Sequence, residues 1–472
     1  MNGDRLRILL PLLILVALGI TPQATRITSS LAAAELGQKY GSPGSVGDHL
    51  SVVLAFEPWR IDLFEKLGSA RYEANQYEAA VYAFGQAEKY GILSTDGQIL
   101  YAKALEQQGD PAAYQKYRRL LSQGIHREDI FDKVYLYQMQ TGDLEGAADT
   151  LLDWIAFQPD KADLYYTLGL VFGLIRPAQA RVYLEQAAAI DPNYNHQVLR
   201  LSKALYEIAF VDDPAYRKLV MGRAFASVQR WDLAVLAFRE AVQLNPSYAE
   251  AWAFLAEAEQ QNGQDGFQSL QTALTLNPES IPVKSLAAIY WRRQGNVEKA
   301  LELLFEIQEA EPQQAAWLLE IGNMIAESGD LPRALGYYQK AAEMDPLDPL
   351  YWRSLAMFCG QYNIEFMTIG FPAARKALLL SPQDPLVLDT MGWLLFLRGD
   401  DYSAERFLLK AVKLDEANPL IQYHLSQLYL KRQDYQKAYP YLDRTAAMSE
   451  PGSNLRKMAD RLLKKYYSNE NR

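Results

Sequence analysis

The chain has 472 residues, a net charge of −10, 49% apolar residues and a single cysteine, Cys359. This composition is that of a folded protein, and a lone cysteine excludes both an intrachain disulfide and a zinc site built from several cysteines. The acidic balance, without a basic stripe, argues against nucleic acid as a partner, because phosphate binding needs a positive face.

The first 25 residues have the pattern of a signal or membrane-anchor segment. Arg5 and Arg7 precede the apolar run Ile8–Ile20, which is short for a bilayer span of about 20 residues. The small residues of a cleavage site do not follow this run at the usual distance. We therefore predict an uncleaved anchor in the cell membrane, with Arg5 and Arg7 inside and the remaining chain extracytoplasmic. Secretion after signal cleavage is the alternative.

Residues 26–56 are predicted to be a linker. Their polar stretch Gly37–His49 is rich in glycine and separates the apolar run from the regular pattern that follows. Clusters of Gly, Ser, Pro and Asp between patterned segments are typical of loops.

Prolines that end helices recur along most of the chain at intervals close to 34 residues, with one longer gap. They are Pro159, Pro192, Pro246, Pro278, Pro312, Pro346 and Pro382. Proline cannot continue a helix interior, so each one punctuates a helix end. The interval fits a repeating unit of two short helices.

The residues between these prolines resemble the tetratricopeptide repeat, whose pattern is W-x2-L-G-x2-Y, then A-x3-F, then P. One unit contains Met221, Gly222, Phe225, Ala234, Phe238, Ala241 and Pro246, and an earlier one contains Phe64, Leu67, Gly68, Ala80, Phe84 and Ala87. The resemblance covers roughly Pro58 to Met448. It implies an all-α fold, a right-handed α-solenoid of helix-turn-helix repeats that stack on their neighbours.

The longer gap divides the predicted solenoid. Pro192 and Pro246 are farther apart than one repeat by about 20 residues, which is room for one added helix. We predict an N-terminal array over 57–192, a connecting helix over 193–214, a C-terminal array over 215–448, and a capping helix and tail over 449–472. A divergent repeat that lacks its second helix is the alternative reading of 193–214.

No residue pattern predicts a catalytic centre, a cofactor site or a metal site. The four histidines are far apart in sequence: His49, His126, His196 and His424. The glycine-rich stretch Gly41–Gly47 lacks the lysine and the preceding strand of a phosphate-binding loop. Cys359 falls at a packing position, so we predict a buried, inert thiol.

The resemblance implies that the first helix of each repeat lines an inner groove that binds protein or peptide. The predicted groove residues are Arg292, Arg293, Asn323, Arg353, Trp393, Phe396 and Tyr423. Polar side chains in this set could bind a peptide backbone or carboxylate, and the aromatic ones could form a shelf. Packing of Trp393 and Phe396 against the neighbouring repeat is the alternative.

These patterns favour a membrane-anchored scaffold that binds protein partners through its groove. An accessory role in assembly or export of cell-envelope polysaccharide is the alternative, by analogy with other anchored repeat proteins. An enzyme is disfavoured, because the repeats leave no room for a separate catalytic domain.

Overall fold

The computed structural model describes residues 23–449 and 452–467. Within these ranges the regular elements are all helical, so the predicted all-α repeat fold is confirmed. Contacts divide the chain into two compact units, Met1–Ala241 and Val242–Arg472. The predicted anchor run Ile8–Ile20 lies outside the described residues. Across the described ranges, no helix is both long enough and apolar enough to cross a membrane.

The first unit is built from consecutive short helices with two 3-10 turns, Ile61–Leu63 and Pro192–Tyr194. Its helices are α1 (23–39), α2 (Pro43–Phe56), α3 (Phe64–Glu73), α4 (Tyr77–Lys89), α5 (Thr95–Gln107), α6 (Ala112–Ser122), α7 (Glu128–Thr141), α8 (Leu144–Phe157), α9 (Ala162–Ile175), α10 (Pro177–Ile190), α11 (Asn195–Ile208), α12 (Pro214–Ser227) and α13 (Trp231–Leu244), which ends in the second unit.

The second unit continues with short helices of similar length and a π-helical turn at Phe366–Gly370. Its helices are α14 (Ala249–Gln261), α15 (Phe267–Leu276), α16 (Ile281–Arg293), α17 (Val297–Ala310), α18 (Ala315–Glu327), α19 (Leu331–Met344), α20 (Pro349–Tyr362), α21 (Phe371–Leu380), α22 (Pro385–Arg398), α23 (Asp401–Leu414), α24 (Pro419–Lys431), α25 (Tyr435–Met448) and α26 (Asn454–Tyr467).

Several first helices of the hairpins begin with the same chemical signal, a capping side chain followed by proline. The Oδ1 atoms of Asp348, Asp384 and Asn418 accept backbone N–H groups at 2.8, 2.7 and 3.1 Å. Each cap satisfies a donor that the first turn leaves free, and proline at the first helical position loses no hydrogen bond. The local sequence therefore fixes where α20, α22 and α24 start.

Within each hairpin the two helices approach closely where the first carries glycine and the second an aromatic or leucine side chain. A Cβ atom added to Gly222 in α12 would lie 2.5 Å from the ring of Phe238 in α13. The same addition at Gly68 in α3 would lie 2.6 Å from the ring of Phe84 in α4. Both rings are buried, so the spacing that the repeat pattern predicts corresponds to real helix contacts.

The linker predicted over 26–56 differs from the structure, which has α1 and α2 there. Leu50 and Val53 of α2 are buried in a cluster with Leu67 of α3. Gly47 reads as a loop residue in the sequence, but it lies inside α2, where an added Cβ would sit 2.9 Å from Nε of Arg71. This glycine therefore permits a close helix contact.

The extra helix predicted over 193–214 is α11, and it lies within the first unit. Beyond it, α12 packs directly on α9: Lys218 Nζ donates to the carbonyl oxygen of Leu174 at 2.7 Å, and Gly173 lies beside Met221 and Phe225. The first array thus continues past α11 through this contact, and the boundary between compact units falls later, at Ala241/Val242.

A helix also ends the described chain. Ala459 of α26 is buried against Leu442 and Ala446 of α25, while the lysines Lys464 and Lys465 lie in its last turn. This helix lies inside the segment predicted as a cap, and it covers the apolar side of the last hairpin.

The close approach in α12–α13 makes Gly222→Ala a test of hairpin packing. The added methyl group must displace the ring of Phe238, so we expect a loss of about 1–3 kcal/mol of stability and a lower midpoint of thermal unfolding by circular dichroism. Gly336→Ala in α19 is the control, since an added Cβ there meets nothing within 4 Å and alanine favours helix. Equal midpoints for the two variants would contradict the packing argument.

Candidate partner-binding surfaces

One surface of the first unit, on α7 and α9, is covered by the turn between α12 and α13. Arg230, in the turn between α12 and α13, donates to both carboxylate oxygens of Asp232 at 2.9 and 2.7 Å. Its guanidinium also hydrogen-bonds the hydroxyl oxygen of Tyr135 in α7 and acts electrostatically on Tyr166 in α9. Burial raises the pKa of Asp232, but the hydrogen bond and the charge of Arg230 together with backbone hydrogen bonds lower it by more, so this pKa lies below its ordinary value.

No pattern in the sequence predicts this contact, because α12 runs antiparallel to α9. Lys218 near the start of α12 meets the end of α9 at Leu174, whereas Arg230 beyond the end of α12 acts electrostatically on Tyr166 in the middle of α9. A uniform repeat would make the first helices of successive hairpins parallel. The added helix α11 reverses the direction of α12 relative to α9. The side chains of Lys218 and Arg230 therefore bind within the chain and are not available to a partner protein.

The second unit has an open pocket of 330 Å³ where α16, α18 and α20 lie side by side. It brings together three of the predicted groove residues, Arg292, Asn323 and Arg353. The further lining residues are Ala326, Glu327, Tyr338, Ser354, Met357, Phe358, Gln361 and Tyr362. The lining thus combines polar donors with aromatic rings.

Two of the three predicted residues are already partnered. Arg292 Nε donates to Glu327 Oε2 at 2.9 Å, so the carboxylate that faces the pocket is neutralised by its neighbour. The hydroxyl group of Tyr338 donates to Oδ1 of Asn323. Burial raises the pKa of Tyr338, which keeps that hydroxyl protonated. The Nδ2 group of Asn323 therefore remains as the amide's donor.

Arg353 differs from the other groove arginines, since it makes no ion pair with any residue that the structure describes. Arg293, although adjacent to Arg292, does not join the pocket. Its guanidinium donates to Glu257 Oε1 at 2.7 Å and to Gln260 Oε1 at 2.9 Å in α14, the preceding first helix. Of the three predicted groove arginines, Arg292 and Arg293 each pair with a neighbouring repeat, and Arg353 has no ion-pair partner among the described residues.

The aromatic residues predicted as a shelf pack within the repeats. Trp393 stacks on Phe396 with ring centroids 4.9 Å apart, and on His424 of α24 at 4.1 Å. Both side chains pack against the main core of the second unit. Tyr423, by contrast, packs against the cluster of α25 and α26. The structure thus brings Trp393 and Phe396 together, and directs Tyr423 elsewhere.

Under Trp393 lies a buried hydrogen-bonded pair of polar side chains that sequence reasoning missed. Nδ1 of His424 is 2.9 Å from both carboxylate oxygens of Asp389 in α22, and the two side chains are only 5% and 2% exposed. The residues are one repeat length apart, so a search at that spacing could have found them. Burying such a pair is costly unless the geometry is good, and the stacked indole of Trp393 helps to exclude water.

Cys359 is buried in α20. Burial, assisted by the charge of Glu365, raises the pKa of this thiol to about 12. A thiol in that state is a poor nucleophile. Among the described residues, no group of three or more His, Cys, Asp and Glu side chains could hold a metal ion.

Part of the chain is similar to a known repeat family. Residues 219–281 and 286–349, from α12 to the start of α20, match the family model described as tetratricopeptide repeat. The chain is also similar to the BBSome complex member BBS4 homolog of Drosophila melanogaster, with 23% identity over 348 residues, 71% of this chain and 68% of that protein. Subunit 3 of the anaphase-promoting complex of Dictyostelium discoideum is 26% identical over 119 residues, 25% of this chain and 12% of that protein.

Solved structures with a similar backbone include yeast Tom70, with 12% identity, a TM-score of 0.46 and coverage of 93% of this chain and 95% of that one. The Cut9–Hcn1 hetero-tetramer of the anaphase-promoting complex has 14% identity, a TM-score of 0.38 and coverage of 95% and 98%.

The stacking of Trp393 on His424, which is hydrogen-bonded to Asp389, gives Trp393→Ala a structural consequence. Removing the indole leaves a cavity and opens His424 and Asp389 to water, so we expect a loss of roughly 2 kcal/mol or more. Thermal unfolding followed by circular dichroism measures it. Tyr402→Ala in α23 is the control, because that ring is 73% exposed. If the two variants unfold at the same temperature, Trp393 is not a packing residue.

Proposed function

We propose that this chain is a scaffold that binds an extended, acidic segment of a partner protein in the pocket between α16, α18 and α20. Repeats of the tetratricopeptide type form scaffolds suited to binding other proteins, because stacked hairpins expose a long continuous surface. The observation that supports this particular pocket is the unpaired guanidinium of Arg353 next to two partnered polar residues.

The charges around the pocket favour an anionic guest. Glu327 is neutralised by Arg292, which leaves Arg353 as the uncompensated charge among the lining residues. The Nδ2 group of Asn323 adds an oriented donor, because its Oδ1 is held by Tyr338. A guanidinium and an amide N–H donor together suit a carboxylate of Asp, Glu or a chain terminus.

The aromatic lining residues of the pocket suit an apolar neighbour of that carboxylate. Phe358 stacks on Tyr338 with centroids 4.5 Å apart and contacts Tyr362 at 5.1 Å. Met357 adds an adaptable apolar surface. A segment with an acidic residue beside an aromatic or aliphatic one would therefore match both the polar and the apolar lining residues, and such aromatic positions commonly dominate the binding energy.

Photo-crosslinking in the native host tests the pocket. A photo-reactive amino acid in place of Gln361, which lines the pocket, should capture a protein partner, whereas the same group in place of Tyr402 in α23 should not. Adding Arg353→Ala should lower the yield at Gln361 about tenfold or more, since hydrogen bonds to charged groups contribute roughly 1.5–3 kcal/mol.

The matched charge control is Arg406→Ala, which removes an exposed arginine of α23 and should leave the yield unchanged. A partner captured at Gln361 with equal yield in the presence and absence of Arg353 would show that the guest is not held by a carboxylate. A captured glycosyltransferase or polymerase of envelope polysaccharide would favour the alternative accessory role.

We also propose that the chain is held at the cell membrane by its N-terminal segment with the repeats outside the cytoplasm. The support is the sequence pattern alone: Arg5 and Arg7 before the apolar run Ile8–Ile20, without a well-placed cleavage site. In that arrangement the pocket would meet extracytoplasmic partners.

Fusing alkaline phosphatase, which is active only after export, to the C-terminus tests this location. We expect activity in the membrane fraction, and its loss when Ile14→Arg and Val16→Arg interrupt the apolar run. Activity in the medium would indicate a cleaved signal peptide. Activity in neither fraction, with the fusion present in the cytoplasm, would contradict export.

A further inference from the structure

The added helix α11 has two apolar faces, and only one of them is covered. Val198, Leu201, Leu205 and Ile208 are buried against the neighbouring helices. On the opposite side, Leu199, Tyr206 and Phe210 are 69%, 68% and 75% exposed. Single exposed apolar residues are ordinary on protein surfaces, but several aligned on one face mark an interaction site.

These exposed residues form one stripe along α11 and the turn that follows it. Leu199, Lys203 and Tyr206 are separated by four and three positions, which places them on the same side of the helix, and Phe210 lies in the turn just after α11 ends at Ile208. The rings of Tyr206 and Phe210 contact each other edge to face, with centroids 5.0 Å apart. The stripe therefore presents an aliphatic end, a cation in the middle and an aromatic end.

Hydrogen bonds at the sides of the stripe hold α11 in place. Arg200 donates to the carbonyl oxygen of Ser227 at 2.7 Å, and Glu207 accepts from the hydroxyl group of Tyr216 at 3.1 Å. Lys203, within the stripe, makes no ion pair with a described residue. A surface already fixed by its own fold loses little conformational entropy when it binds.

We propose that the α11 stripe (Leu199, Lys203, Tyr206 and Phe210) pairs with the same stripe of a second copy of this chain, with the two helices antiparallel. A two-fold axis near the middle of the stripe sets Leu199 against Phe210 of the second copy. The same axis sets Lys203 against Tyr206 of the second copy, and beside its Glu207. The apolar side chains of Leu199 and Phe210 then contact each other across the axis, and the ammonium group of each Lys203 meets the ring of Tyr206 and the carboxylate of Glu207.

This self-complementarity is what selects a second copy as the occupant. In a parallel pairing, Lys203 would face its own equivalent and the two ammonium groups would repel. The antiparallel pairing makes the contact isologous, so each favourable interaction occurs twice. Two helix stripes bury less than the roughly 800 Å² per partner of a standard interface, so we expect a reversible dimer with a Kd on the order of micromolar.

Sedimentation velocity of the full chain at increasing concentration tests the dimer. Leu199→Ser with Phe210→Ser should raise the dimer Kd at least about tenfold, because apolar contacts at its two ends are lost. The control is Leu379→Ser with Tyr402→Ser, which removes exposed side chains elsewhere, 80% and 73% exposed. Circular dichroism should be unchanged in both variants, as all four side chains lie on the surface.

Cysteine pairing tests the register. When Leu199→Cys and Phe210→Cys proteins are mixed and oxidised, a disulfide should join the two kinds of chain, while each protein alone should give little. Cys359 is buried and does not interfere. A protein that stays monomeric at about 100 µM, a dimer unaffected by Leu199→Ser with Phe210→Ser, or equal crosslinking by each protein alone would overturn the proposal.

Discussion

The close approach of two helices within each hairpin is the constraint on which the rest of this structure depends. Where the first helix carries glycine, the second places a large side chain against its backbone, as at Gly68 with Phe84 and Gly222 with Phe238. No side chain larger than hydrogen fits at these glycines without displacing the ring. A hairpin formed in this way still exposes apolar surface, so it is stable only with neighbours on either side.

The single helix α11 has a larger effect than its length suggests, because it is not half of a hairpin. After it, α12 meets α9 in the antiparallel sense, with Lys218 near Leu174 and Arg230 near Tyr166. The turn that carries Arg230 then covers part of α7 and α9. The same insertion gives α11 a free side, since a helix outside the hairpin pattern has no partner assigned to it by the repeat.

Sequence periodicity predicted the helices, their pairing and the glycine–aromatic contacts, because these depend on neighbours along the chain. Periodicity did not predict the contacts that depend on how distant parts of the chain pack together. Gly47 is predicted to lie in a linker, because the sequence alone does not distinguish a glycine in a close helix contact from a glycine in a loop. Trp393 is predicted to face the groove, and only the structure shows that its ring stacks on His424 of the next repeat. The Arg230 contact depends on a reversed helix, and no repeat pattern contains that information.

The repeat length also decides which charges remain free. Side-chain contacts join the first helices or their starts one repeat apart: the ion pairs Lys161 with Glu128, Arg292 with Glu327 and Arg293 with Glu257, and the hydrogen-bonded pair His424 with Asp389, at separations of 33, 35, 36 and 35 residues. One repeat beyond Arg353, the chain has the apolar run Leu386–Leu388. The next carboxylate, Asp389, is already bound to His424. Glu320 lies 33 residues before Arg353, but among the described residues Arg353 pairs with neither carboxylate, so a guest that supplies a carboxylate would complete a pattern that the repeats otherwise satisfy among themselves.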